Sequence, residues 1–329
     1  MFRGKETRHV VSILDFSTQD LLDFVHITGK IKANEEAYRG ALKGKSMARL
    51  FFSDSTRTYE SSGEAMERLG GRATLGFRTT QGTSVNKGES LKSTIEMYEE
   101  YGADVIVLRH PRDGSSRYAV DVAKSALIIN GGDGSNEHPT QNLMDIFTIH
   151  ERHGRLDHLT VVFFGDLKYG RATRLVYPMS LFEGNRFVFL SHPSVSTPDY
   201  VKDTLRQRGA EFDEIHDPEM FPALVSKADI AYGSRNQEER WPEEGTQEGD
   251  EMRRVVRNYA VLTRGVINRA KPRDGFMIMH PLPQNMWFPE IPDDVKETPH
   301  YWCRKQAKNG IYSRMGMLYS QFHNWWLDG

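Results

Sequence analysis

Short runs of β-branched and aromatic residues recur along this chain with gaps between neighbours long enough for a crossover helix, and that alternation restricts the fold more than any other feature. Met47–Phe52, Ala73–Phe77, Asp104–Leu108 and Ala126–Asn130 form one series; Thr160–Gly165, Arg186–Leu190, Asp229–Tyr232 and Phe276–His280 form a second. Each run is nearly continuous in apolar character, as a strand covered on both faces must be, and each gap suits a crossover helix. The pattern predicts an α/β chain with two doubly wound parallel-sheet domains joined by interdomain helices. At 329 residues the chain can bury two separate cores, and two domains leave a cleft available for a ligand. The first domain is expected over 1–137, completed by a C-terminal helix over 299–329, and the second over 151–296.

Helix signals fill in the organisation. Ser17 ahead of Thr-Gln-Asp and the run Leu21, Leu22, Phe24, Val25 predict a capped amphipathic helix. Pro139–His150, with Leu143, Ile146, Phe147 and His150 at helical spacing after a first-turn proline, predicts an interdomain helix. The aromatic-rich stretch Tyr301 to Trp326 is expected to be helical and to pack back across the first half. Glu238–Asp250, rich in Glu and Gly, reads as a solvated loop or, more sharply, as a mobile lid.

Composition removes several classes of function. A net charge of -2 with 27% charged and 38% hydrophobic residues fits neither a nucleic-acid binder nor a disordered chain, and points to small-molecule work. The single cysteine, Cys303, excludes an intrachain disulfide framework and a cysteine-rich zinc site, and suits a reducing cytoplasm. The opening MFRGKETRHVVSILDFS has no apolar signal core, and no apolar run approaches the ~18 residues of a membrane span. A soluble cytoplasmic protein without membrane partners is expected.

Several polar constellations stand at predicted strand ends. Phe51-Phe52-Ser53-Asp54-Ser55-Thr56-Arg57-Thr58 runs from a strand into hydroxyls around an arginine, which reads either as an anion cradle or as a hydroxyl-rich helix cap. It is not a P-loop, and no dinucleotide glycine fingerprint follows the first strand. Ser84-Val85-Asn86-Lys87-Gly88-Glu89 is a polar loop in which Lys87 is a site residue or an ordinary surface lysine. Arg109, directly after Val105–Leu108, has to leave a buried strand at the end where ligands bind open parallel sheets. His138 stands just before a helix and Gln141 one turn inside it, so an imidazole and an amide can face one point, or His138 is structural. His150 and His153 stand three apart without a third ligand at sensible spacing, so no metal site is read. Asp166-Leu167-Lys168-Tyr169-Gly170-Arg171 and Ser234-Arg235-Asn236-Gln237 repeat the strand-end logic in the second half. Two guanidiniums there suit a dicarboxylate, or form surface ion pairs.

In order and number these segments resemble the aspartate/ornithine carbamoyltransferase superfamily along nearly the whole chain. Ser55-Thr56-Arg57-Thr58 resembles its phosphate signature, His138-Pro139-Thr140-Gln141 with Asp145 its carbamoyl motif, and His280-Pro281-Leu282-Pro283 its closing motif, with proline after His280 as in the aspartate branch. The resemblance implies that Ser55, Thr56, Arg57, Thr58 and Arg109 hold phosphate and that Thr58, Arg109, His138 and Gln141 address the carbamoyl group. The backbone around Leu282 and Pro283 completes that pocket. Thr58, Arg109 and His138 are the implied catalytic residues, and Arg171, Arg235 and Gln237 the implied aspartate ligands. It further implies a homotrimer in which Ser84 and Lys87 reach a neighbouring subunit's site, Lys87 on the aspartate side. Neither cofactor nor metal is implied; a regulatory chain or multienzyme partner is left open.

The implied reaction carries carbamoyl phosphate and L-aspartate to N-carbamoyl-L-aspartate and phosphate, an early step of de novo pyrimidine biosynthesis. It needs orientation and charge stabilisation rather than a covalent nucleophile, and no residue is assigned as general base. Departures from the family pattern stand at Ser53, Tyr59, Ser61-Ser62-Gly63, Ala172-Thr173-Arg174-Leu175 and Gln284-Asn285-Met286-Trp287, where Arg and an Asp-Glu-Ile are usual. They leave two rivals: a carbamoyltransferase for a different amine, and a catalytically weak homologue with a binding role.

Overall fold

The structure is a computed structural model, and residues 9–323 are described. Helix α1 (Thr18–Ala33) starts where the sequence predicts. The Ser17 hydroxyl accepts the Asp20 N–H at 3.1 Å and the Asp20 carboxylate accepts the Ser17 N–H at 2.7 Å, which closes a capping box. Strand and helix then alternate through β1 (Ser46–Phe51), α2 (Thr56–Arg68), β2 (Arg72–Phe77), α3 (Leu91–Glu100), β3 (Val105–His110), α4 (Ser115–Val122), β4 (Leu127–Asp133) and α5 (Pro139–His153). The second series is β5 (Thr160–Gly165), α6 (Val176–Met179), β6 (Arg186–Leu190), α7 (Asp199–Gln207), β7 (Glu211–Ile215), α8 (Phe221–Lys227), β8 (Ile230–Ser234), α9 (Gln247–Val256), α10 (Arg264–Ala270), β9 (Met277–Met279) and α11 (Asp293–Lys296). Helix α12 (Cys303–His323) follows; the part of the predicted helix beyond it, to Trp326, lies outside the described residues.

The chain divides into two compact units. One comprises residues up to Phe147 and from Lys308 onward, the other Thr148–Ala307, so both boundaries fall inside helices, α5 and α12. In the first unit the parallel strands run in the order β2-β1-β3-β4; in the second, β7-β6-β5-β8-β9. Both orders reverse direction once, at β1/β3 and at β5/β8, and such a switch point opens a crevice beyond the carboxyl ends of the two strands. Central strands are buried almost throughout, with Leu50, Ile106, Leu108 and Ile128 in one core and Val162, Phe164, Leu190 and Ile278 in the other.

Two expectations need correction. Strand β7, with the sequence EFDEI, was not foreseen, because its carboxylates interrupt the apolar run; it lies at a sheet edge, mostly half-buried. The stretch Glu238–Asp250 is no featureless loop. It contains a 3-10 turn at Glu238–Arg240 and the start of α9, and Trp241, Gly249, Arg253 and Val256 are buried. Gly249, Arg253 and Val256 stand at helical spacing, but a glycine and an arginine do not read as an apolar face, and most of α9 lies beyond Asp250. Among the described residues no helix is long and apolar enough to cross a membrane.

Candidate active site

At the first switch point Ser55 is the N-cap of α2, yet its side chain makes no capping bond, so the hydroxyl-cap reading does not account for it. The first turn of α2 therefore presents Ser55, an exposed Thr56 and Arg57, and a buried Thr58 beyond the end of β1. Phe51 of β1 is in register with Arg109 of β3, which brings the next strand end alongside. The half-buried Arg109 donates from Nη1 to the Gly131 carbonyl at 2.9 Å, while its Nε is buried without a partner. Burial lowers the Arg109 pKa and the nearby Asp54 carboxylate opposes that fall.

Strand β4 ends in a turn that delivers His138 to the mouth of α5. The Asp133 carboxylate accepts the Glu137 N–H at 3.1 Å, and Glu137 in turn accepts the Ser12 hydroxyl at 2.5 Å and the Ile13 N–H at 2.8 Å. His138 Nε2 lies 3.2 Å from Thr58 Oγ1, which sets the imidazole beside a hydroxyl of the first turn of α2. Gln141 donates from Nε2 to Asp145 at 2.8 Å, which orients its amide. Ser84 and Lys87 occupy an exposed 3-10 turn ended by Gly88 at φ +95°, and among the described residues no hydrogen bond ties them to Ser55–Thr58.

The second switch point is organised by a buried carboxylate. Gly165 at φ +100° lets β5 approach β8: a Cβ there would stand 2.3 Å from the Ser234 carbonyl oxygen. Asp166 follows, fully buried. It accepts the Tyr169 N–H at 3.0 Å on Oδ1, and on Oδ2 the Gln237 N–H at 3.2 Å and the Trp241 Nε1–H at 3.0 Å. Burial still holds its carboxyl above the usual range against those donors. Gln237 Nε2 donates to the Tyr169 carbonyl at 2.6 Å, so the loops after β5 and β8 are joined. Arg235 is engaged end-on by the Glu239 carboxylate, with Nη1 to Oε2 at 3.1 Å.

Glu290 was missed. It is 1% exposed, accepts the Asn236 N–H at 2.8 Å on Oε1, and has Oε2 3.6 Å from Nε2 of the buried His280. The closing motif bends so that the Leu282 N–H reaches His280 Nδ1 at 2.8 Å, with Leu282 at φ +51° before a cis bond to Pro283. A Glu-Ile pair does follow the motif, as Glu290-Ile291. The extra residues before it form a turn in which Asn285 Oδ1 accepts the Trp287 and Phe288 N–H groups at 2.9 and 3.1 Å. Ala172–Leu175 is a buried 3-10 turn whose Arg174 lies 4.6 Å over the Tyr200 ring, so this departure is packed in place. Among the described residues no group of three or more His, Cys, Asp or Glu is placed to hold a metal ion.

Comparison with known proteins gives the same answer over both units. The family profile "Aspartate/ornithine carbamoyltransferase, carbamoyl-P binding domain" matches residues 8–151, and "Aspartate/ornithine carbamoyltransferase, Asp/Orn binding domain" matches 157–321. The chain is 40% identical over 313 residues to an aspartate carbamoyltransferase catalytic subunit of Chromobacterium violaceum, covering 94% of this chain and 96% of that one. The catalytic subunit of M. jannaschii aspartate transcarbamoylase superposes with a TM-score of 0.85 at 35% identity, covering 97% and 99% of the two chains. Aspartate transcarbamoylase of Trypanosoma cruzi, solved with carbamoyl phosphate and aspartate, gives 0.84 at 28% identity over 96% and 97%. The chain is a member of the aspartate/ornithine carbamoyltransferase family.

Proposed function

We propose that this chain transfers the carbamoyl group of carbamoyl phosphate to the amino group of L-aspartate, releasing phosphate, as an early step of de novo pyrimidine biosynthesis in the cytoplasm. The observation that carries it is that both sheets end, at their switch points, in the donors this reaction needs. Ser55, Thr56, Arg57, Thr58 and Arg109 take the phosphate. Thr58, Arg109 and His138 stabilise the oxyanion that forms when the amine adds to the carbonyl carbon, and Gln141 with the Leu282–Pro283 backbone holds the carbamoyl NH₂. Arg171, Arg235 and Gln237 bind the two carboxylates of aspartate. The departing phosphate accepts the proton released by the amine, so no side chain acts as general base. Aspartate transcarbamoylase of T. cruzi, solved in complex with carbamoyl phosphate and aspartate together, supports this pairing of substrates.

The same reading makes the working form a homotrimer, each site borrowing Ser84 and Lys87 from a neighbour. Mixed trimers of Arg57→Ala and Lys87→Ala chains then recover activity that neither parent has; verified hybrids as inactive as the parents exclude sharing. Ureido-product formation from carbamoyl phosphate with a panel of amines tests the reaction itself. Aspartate is expected as the preferred acceptor. Preference for an amine with one carboxylate would instead favour the rival acceptor, and failure with every amine would favour a binding role.

A further inference from the structure

Arg314, on α12, is a buried cation without an acidic partner. It is 4% exposed, and among the described residues it has no carboxylate contact. Nη1 donates to the Gly310 carbonyl at 2.8 Å, Nη2 to the Thr140 hydroxyl at 3.2 Å, and Nε has no partner. Burial pulls its pKa down to about 10, which leaves it charged at neutral pH. Charges are rarely buried unpaired, because desolvation is not offset, so the group calls for a reason beyond packing.

The reason lies one hydroxyl away. Thr140 Oγ1, 2% exposed in the first turn of α5, is also 3.2 Å from Nδ1 of His138, whose Nε2 faces Thr58 Oγ1 at 3.2 Å. A guanidinium can only donate, so one lone pair of the Thr140 oxygen is committed to Arg314. Were the imidazole N–H donated to that oxygen as well, both of its acceptor positions would be filled and, among the described residues, the threonine hydroxyl has no further hydrogen bond to take its own hydrogen. The favourable arrangement passes one hydrogen along the chain: Arg314 to Thr140, Thr140 to His138 Nδ1. That makes Nδ1 the acceptor and places the imidazole hydrogen on Nε2.

We infer that Arg314 and Thr140 are positioning residues that hold His138 in its Nε2–H tautomer, so that the imidazole presents a donor where the carbamoyl oxygen gains charge. The catalytic meaning rests on the proposed function; the tautomer does not, and it can be measured in the ligand-free protein.

Full-length protein labelled with ¹⁵N-histidine, with His138 assigned by comparison with His138→Asn, reports the tautomer through long-range ¹H–¹⁵N correlations. The wild type is expected as the Nε2–H form. Thr140→Val, close in shape, should shift His138 toward the Nδ1–H form and lower kcat by at least about tenfold, as a misdirected oxyanion donor does, with the KM for carbamoyl phosphate changed less than about threefold. Thr140→Ser should restore both. Arg314→Met should match Thr140→Val, and the double variant should be no worse than the poorer single one; if Arg314→Met does not fold, the threonine pair still decides. A wild-type His138 in any other form, or a Thr140→Val protein with an unchanged tautomer, overturns the inference. Unchanged spectra cannot be confused with a wrong substrate, since absence of carbamoyl transfer in the wild type would count against the proposed function alone.

Discussion

The two sheet ends proposed to bind the substrates are built differently. In the first unit the donors stand on regular elements, Thr58 in α2, Arg109 in β3 and Gln141 in α5, with His138 beside the helix start; Thr58 and His138 touch each other, Arg109 reaches the Gly131 carbonyl and Gln141 the Asp145 carboxylate. In the second unit Arg235 and Gln237 ride on loops shaped by two carboxylates that solvent does not reach, Asp166 and Glu290. Groups carried on helices and strands inherit their placement from element packing, whereas groups carried on loops need buried polar contacts to hold them. Damage to the first end should come from losing a ligand group, and damage to the second from losing a remote support.

The largest effect is expected at Arg57, the exposed guanidinium in the first turn of α2. Arg57→Ala should lower turnover by at least about tenfold to a hundredfold while the melting curve stays unchanged, since losing a charge-assisted contact costs about 1.5–3 kcal/mol or more. Activity within about threefold of wild type would remove the phosphate assignment.

Asp166→Asn tests the other half of the contrast. Every group facing Asp166 is an N–H, so an amide must point a donor at Tyr169, Gln237 or Trp241, and the loops should lose about 1–3 kcal/mol of support. The KM for aspartate should rise at least about tenfold, as it should in Arg235→Ala, while that for carbamoyl phosphate moves less than about threefold. Equal changes in both constants would erase the distinction between the two ends.

How far the sequence could be read follows the same division. His138 and Gln141 are legible because one helix turn fixes their relation, and Arg109 because a cation after four apolar residues must emerge. Glu290 is not, since its neighbours Asn236 and His280 are distant in the chain and extra residues separate it from the closing motif. Arg49 is hidden for the opposite reason: a single cation inside an apolar strand reads as interior noise. It lies 4.0 Å over the Tyr59 ring and donates to the Tyr59 carbonyl at 3.2 Å, and Arg78 lies 4.7 Å from the same ring. A Cβ on Gly63 would stand 2.3 Å from Arg49 Nη1, so Tyr59 and Gly63, two departures from the family pattern, are one packing solution with Arg49.

That cluster yields a smaller prediction with a sign to decide. Alanine for glycine inside a helix ordinarily gains about 0.5–1 kcal/mol, but displacing a held guanidinium costs about 1–3 kcal/mol. Gly63→Ala should therefore lower the melting temperature, and Arg49→Met should relieve it. A stabilised Gly63→Ala would mean that Arg49 swings aside freely.

The smallest effect is expected at Glu137, and it sharpens the comparison because here a carboxylate supports the first unit. Like Asp166 it is buried, and burial raises its pKa, with Asp133 and Asp15 adding to the rise and the Ser12 and Ile13 hydrogen bonds opposing it. Unlike Asp166, it is faced by only one backbone N–H; its other partner is the Ser12 hydroxyl, which can accept as well as donate. Glutamine can therefore keep its oxygen on the Ile13 N–H and turn its amide nitrogen toward Ser12. A carboxyl whose folded pKa is raised contributes stability that is complete below its unfolded pKa and is lost as pH rises through the folded value. Glutamine does not titrate. The melting temperature of Glu137→Gln relative to wild type should therefore climb as pH rises from the ordinary carboxyl range, about pH 4, and level off above the folded pKa. A difference that stays flat, or falls, over that interval would mean that the Ser12 and Ile13 bonds outweigh burial, and that carboxylates in the two units are held on the same terms after all.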